Sequence, residues 1–208
     1  MCLSEMEQDA ITELLNVSVS RAAVALSRMV DRPVSMSIPV LRILSRDEAL
    51  AALGGGTPSP LVAVGERFSG PFSGSALLVF PETRSLRLVH AILGERIPLE
   101  EVMDMAEEAM AEVGNVILNS CLSGMANMLA CRIEATLPTC YQGTADQIFH
   151  RTIRHDGDAR ILFTSIDFSI RERDIGGYIV LLLDLNAIAN LRQAIDRYIA
   201  SLSRGAGG

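Results

Sequence analysis

One pattern occurs twice in this chain, and that duplication limits the folds open to it more than any other feature. Asp9, Glu13, Asn16 and Pro39 stand at the spacing of Glu108, Glu112, Asn115 and Pro138, every member shifted by 99 residues. Both copies read acid-x3-Glu-x2-Asn-x22-Pro. The surroundings repeat as well. After each proline comes a variable stretch and then a strand-like pair, Leu61–Phe68 with Gly74–Phe80 and Arg160–Phe168 with Gly177–Leu183. Each half closes on a helix-like segment, Ser85–Leu93 or Leu185–Ile199. A fixed-period self-similarity signals repeated structural units that share one core. The expected architecture is α/β, a two-layer sandwich. Its halves, about 5–98 and 104–200, each run helix-strand-strand-strand-helix and are related by a pseudo-twofold axis through one shared sheet. Residues 1–208 then form a single domain with a frayed tail at 201–208.

The repeated helix carries a polar stripe. Successive helical residues turn by ~100°, so with Asp9 at zero Glu13 falls near ~40° and Asn16 near ~−20°. Ile11, Leu14, Leu15, Ala22, Ala25, Leu26 and Met29 collect on the other side, as an amphipathic helix requires. In the second copy Glu108, Glu112 and Asn115 share the stripe, opposite Met110, Val113, Ile117, Cys121, Met125 and Met128. An exposed Glu and Asn are ordinarily no more than a solvated face. Asparagine is a mediocre helix former, however, and it recurs mid-helix at the same offset from a glutamate. The spacing leaves a functional pair and a merely preserved duplication both open. Pro39 sits inside the alternating Val34-x-Met36-x-Ile38-x-Val40, and Pro138 follows Ile133-x-Ala135-x-Leu137. Proline donates nothing to a sheet ladder, so both are read as structural residues at an edge or a bulge.

Composition narrows the chemistry. Over 208 residues the hydrophobic fraction of 49% is ample for a core, and the net charge of −7 disfavours a nucleic-acid partner. Met1–Ala10 lacks the basic-then-apolar order of a signal peptide, and no apolar run reaches the ~20 residues of a membrane span, so a cytoplasmic protein without membrane insertion is expected. Cys2, Cys121, Cys131 and Cys140 form no CxxC pair, and His90, His150 and His155 no ligand spacing; buried or free thiols and ordinary rim histidines are expected, with no metal site. Gly54-Gly55-Gly56-Thr57-Pro58-Ser59-Pro60 has no Lys-Ser/Thr pair after its glycines and reads as a loop. His155-Asp156-Gly157-Asp158 reads as a turn.

The doubled pattern resembles the signature of the CheC, CheX and FliY phosphatases of bacterial chemotaxis. The resemblance spans essentially the whole chain, and the two motifs make it most like CheC. It implies hydrolysis of the aspartyl phosphate of a CheY-like receiver domain. Glu13 and Glu112 match the glutamate that pairs with the partner's active-site lysine. Asn16 and Asn115 match the asparagine that orients the attacking water. Asp9 matches the leading acid; Glu108 departs from it, since Asp or Ser is usual there. Leu15, Ser18 and Ser20 stand where the first family motif commonly has glycines, whereas Gly114 is kept in the second.

The implied enzyme needs no cofactor of its own, because Mg²⁺ sits on the phosphorylated partner, and a CheD-like deamidase is a further partner the family implies. Phosphoryl transfer depends on positioning and charge stabilisation, and an asparagine amide can both accept from and donate to one water. This would explain the lack of a metal motif, nucleophile elbow or Walker loop. The alternative is a non-catalytic binding module or scaffold in a chemotaxis or flagellar switch assembly, as in the related FliM, which lacks the catalytic pair. A small-molecule sensor using the space between the halves is a further reading, which a ligand-induced melting shift would reveal.

Overall fold

The computed structural model describes residues 4–38, 40–54, 60–94, 98–152, 160–170, 173–183 and 185–205. Cys2, Pro39 and the expected turn at His155–Asp158 lie outside them, as does most of the glycine-rich loop after Gly54. The first half runs α1 (Glu5–Met29), β1 (Val34–Ser37), β2 (Leu41–Leu44), α2 (Arg46–Gly54), β3 (Leu61–Ser69), β4 (Gly74–Pro81) and α3 (Glu82–Leu93). The second runs α4 (Leu99–Met128), β5 (Glu134–Ala135), β6 (Thr139–Gly143), α5 (Ala145–Thr152), β7 (Arg160–Ile170), β8 (Arg173–Leu183) and α6 (Leu185–Gly205). The order of elements repeats, as the duplication requires. Each half is richer than helix-strand-strand-strand-helix, because the proline-bearing strand is split in two and followed by a short helix. The last helix also continues to Gly205, through most of the expected tail.

The described strands form one eight-stranded antiparallel sheet in the order β1-β7-β8-β4-β3-β5, with β2 continuing β1 along β7 and β6 continuing β5 along β3. β4 and β8 meet at the centre, Leu78 opposite Ile179. The halves are interlaced: β1 and β2 of the first half pair with β7 of the second, and β5 and β6 of the second pair with β3 of the first. β3 and β7 are therefore each flanked by their own hairpin partner and by edge strands from the other half.

Both faces of the sheet are covered, so the central strands read as near-continuous apolar runs, Leu77, Leu78, Val79 and Phe80 all being fully buried. On one face α1, α3, α4 and α6 bury Leu14, Leu15, Leu26, Val113, Ile117, Leu118 and Leu191 against Val64, Phe168 and Ile179. On the other, the short α2 and α5 cover a smaller core around Leu53, Phe149 and Phe163. The buried face of α1 follows its apolar periodicity through Ile11, Leu14, Leu15, Ala22 and Leu26, whereas Ala25 and Met29, expected on the same side, are exposed. α1 opens with a capping box between Ser4 and Glu7. Glu7 also accepts from Arg192 Nε at 2.6 Å, tying the first helix to the last.

Candidate functional site

Both edges of the sheet break between the two short strands that flank the motif proline in sequence. Between Ser37, opposite Asp167, and Leu41, opposite Thr164, the edge spends three residues against two on β7. Between Ala135, opposite Phe68, and Thr139, opposite Gly65, it does the same against β3. Each copy therefore carries a bulge of one extra residue, which interrupts the ladder and bends the strand. Pro138 lies in the second bulge, and Pro39 falls in the sequence of the first. The edge or bulge expected for a strand proline is the arrangement found at Pro138.

The repeated spacing of asparagine to proline has a structural meaning in the first copy. Asn16 Nδ2 donates to the carbonyl of Ile38 at 3.1 Å, and Ile38 N–H donates to Asn16 Oδ1 at 2.8 Å. Both ends of the amide close on Ile38, a residue whose main-chain groups lie off the ladder, while the carbonyl of Val40 accepts from the Thr164 hydroxyl. Ile38 is 2% exposed, and Asn16 is half-buried. Asp9 and Glu13 are exposed further along the same helix.

The second copy is arranged differently. Asn115 is half-buried, and its Oδ1 accepts from Asn119 Nδ2 at 2.6 Å, along the helix rather than across to the strand. Asn119 in turn has its carbonyl bonded by the Ser123 hydroxyl. Leu137, the counterpart of Ile38, is 88% exposed and makes no hydrogen bond among the described residues. Glu108, Glu112, Asn115, Leu137 and Pro138 line one open cleft of about 560 Å³, with Met105 at its rim. The structure thus brings together every expected residue of the second motif.

The cause lies one residue before each asparagine. Gly114 packs on Val64 of β3 so closely that a methyl group there would overlap the valine side chain. Glycine lets α4 lie directly on the sheet. The first copy has Leu15 at that place, 1% exposed. A leucine cannot fit such an approach, and α1 rests chiefly against the edge strand β1 and against α4. That brings Asn16 within reach of the bulge. Ser18, another departure from glycine, is fully buried, donates to the Leu14 carbonyl at 2.8 Å and faces Gly124 of α4. Ser20 is exposed.

Sequence reasoning missed Asn119 and Glu66. The offset of four from Asn115 to Asn119, one helical turn, was the available signal for the former. Glu66 is 3% exposed on β3, and neither carboxylate oxygen has a hydrogen-bond partner. Burial pushes its pKa up to about 7, and burial, with the Glu66 charge adding to it, pushes the thiol of Cys121 up to about 12. Cys121 is buried and Cys131 and Cys140 are half-buried; all three are free thiols. Among the described residues no group of three His, Cys, Asp or Glu side chains could hold a metal ion, and no helix is long and apolar enough to cross a membrane.

Comparison with known proteins agrees with this architecture. Residues 62–161 match the family described as "Chemotaxis phosphatase CheX". The chain is 24% identical over 141 residues to the CheY-P phosphatase CheC of Bacillus subtilis, covering 65% of this chain and 66% of that protein. It is 28% identical over 138 residues to the flagellar motor switch phosphatase FliY of the same organism, covering 65% of this chain and 35% of FliY. Those alignments thus span under two thirds of either relative. Among solved structures, Thermotoga maritima FliY superposes with a TM-score of 0.76 at 18% identity, over 95% of this chain and 100% of that one. The FliM middle domain of Vibrio alginolyticus superposes at 0.61 and 16% identity, over 88% and 99%. In sequence the chain is similar to CheC, CheX and FliY, and in fold to FliY.

Proposed function

We propose that this protein hydrolyses the aspartyl phosphate of a CheY-like receiver domain, with Glu112 and Asn115 on α4 entering the partner's active site. The single observation that carries this reading is the cleft in which Glu112, Asn115 and Pro138 converge while the Asn115 amide nitrogen donates to no described residue. The similarity to a CheY-P phosphatase supports it.

The chemistry asks little of the protein. The partner holds Mg²⁺ and a lysine around its phosphoryl group. Glu112, exposed on the stripe, forms a charge-assisted contact with that lysine and sets the register of the helix. Asn115 places a water in line with phosphorus. The water oxygen bonds to phosphorus as the bond from phosphorus to the carboxyl oxygen breaks. The aspartate leaves as carboxylate, and the protons of the water depart with inorganic phosphate. An amide is too weak a base to take a proton, so the acceleration comes from orientation, which can supply several kcal/mol. Asp9 and Glu108, each one turn ahead of its glutamate, add negative charge to the approaching face, and a CheD-like deamidase is a proposed second partner.

The test is the rate at which phosphorylated receiver domains of the same organism lose phosphate in Mg²⁺. The expected result is acceleration by the wild type and none by the Asn16→Ala, Asn115→Ala double variant, with binding retained. The fold shared with the FliM middle domain favours a non-catalytic scaffold as the second reading. A scaffold would bind the receiver and leave its decay unchanged in both proteins.

A further inference from the structure

The two copies of the motif share a sequence pattern but not a hydrogen-bond pattern. In the first, the amide of Asn16 is spent at both ends on the backbone of Ile38. In the second, Asn115 is bonded to Asn119, and the bulge residue Leu137 stands free in the cleft. An asparagine has one carbonyl and one NH₂. Once both are closed on the backbone of Ile38, the amide is held facing the sheet edge, and turning it to hold a water in line with phosphorus would require breaking both bonds. We infer that the copies have divided the labour: Asn16 is the clasp of the first bulge, turnover rests on the second copy alone, and Asn119 is the positioning residue for Asn115.

Three differences between the copies point the same way. Leu15 keeps α1 out at the edge strand where its asparagine reaches the bulge, whereas Gly114 seats α4 on β3. Ser20 occupies the place equivalent to Asn119, with a shorter side chain, and the Asn16 amide one turn back closes on Ile38 instead. Ile38 is buried with its main chain satisfied, whereas Leu137 is exposed beside Glu112 and Asn115. Asn119 donates to Asn115 Oδ1 and leaves the second lone pair of that oxygen, and the amide hydrogens, for water and phosphoryl oxygen. It touches neither. Its part is to remove the rotation that a lone exposed asparagine would have to lose in the transition state.

This inference rests on the phosphatase reading above, and two sets of measurements separate the failures. The first is turnover of a phosphorylated receiver. Asn115→Ala alone is expected to bring the rate down to the receiver's own decay; a residual rate near half that of wild type would show a working first copy and overturn the division. Asn119→Ser, which installs the first copy's residue, is expected to lower kcat about 10-fold. KM and melting temperature should stay within twofold and about 2 °C of wild type. Asn119→Gln, which keeps the donor, should recover part of the loss. An unchanged kcat in Asn119→Ser, or a change in KM alone, removes Asn119 from the role.

The second measurement needs no turnover. Amide hydrogen exchange at Ile38 is expected to speed up at least ~10-fold in Asn16→Ala, while Leu137 exchanges fast in both wild type and Asn115→Ala. Unaltered protection of Ile38 overturns the clasp. If wild type accelerates no receiver, the phosphatase reading fails, and Ile38 exchange still decides what Asn16 does.

Discussion

Glu66 is a carboxyl group in the place where the second half carries Ile166, one hundred residues on and fully buried. It lies among Val64, Phe68 and Ala76 on the face covered by α4, near Cys121, with no donor to receive. Its pKa is raised from 4.5 to about 7 by burial. The folded state therefore holds a proton that the unfolded chain has released, and stability falls as pH rises from about 4.5 to about 7. We expect Glu66→Ile to remove that slope and to raise the melting temperature at pH 8 by several degrees, read by calorimetry across pH. Glu7 works in the opposite sense. Burial alone would raise its pKa, but hydrogen bonds from Ser4 and the Arg192 guanidinium outweigh that and hold it below 4.5. Its contribution is present above pH 4.5 and lost as pH falls through the lower, folded value. Glu7→Ala should cost about 1–3 kcal/mol near neutral pH, and the deficit relative to wild type should shrink toward pH 3.

At the scale of the element, the two motif helices differ by how they lean. Gly114 lets α4 settle on Val64, and the leucine at the same place in α1 forbids it. Gly114→Ala places a methyl group inside the Val64 side chain and should cost about 1–3 kcal/mol by overpacking. It should also slow receiver dephosphorylation, because a helix lifted off β3 carries Glu112 and Asn115 with it; measured together, melting and kcat report the same displacement. The periodicity of α1 and α4 was legible in the chain, and so were the long strands β3, β4, β7 and β8, since burial on both faces makes them continuous apolar runs. The short α2 and α5 escaped notice. At 9 and 8 residues they show too few turns for a pattern, and only their caps and the smaller core hold them. The split of each proline strand escaped for another reason: the alternation in Val34–Val40 runs on through the break, because a one-residue bulge shifts pairing without altering the residues that carry it.

For the molecule as a whole, the decisive feature is the exchange of edge strands between halves. β3 without β5 and β6, or β7 without β1 and β2, would present an open edge, and each motif bulge would lose the strand it bends away from. Residues 1–98 and 99–208 expressed separately should therefore fail to give dispersed amide spectra, and mixing them should restore a folded complex. Two independently folded halves would contradict the interlaced sheet. The amino-acid sequence by itself determined the duplication, the polar stripe on each motif helix and the proline at each edge, because these are local spacings that one chain displays twice. Only the tertiary structure decided that the copies are unequal. Whether an asparagine clasps a bulge or faces a cleft depends on how near its helix lies to a strand contributed by the other half. That distance is set by the volume of a single packed side chain, leucine or nothing, against a surface that exists only once both halves have folded together.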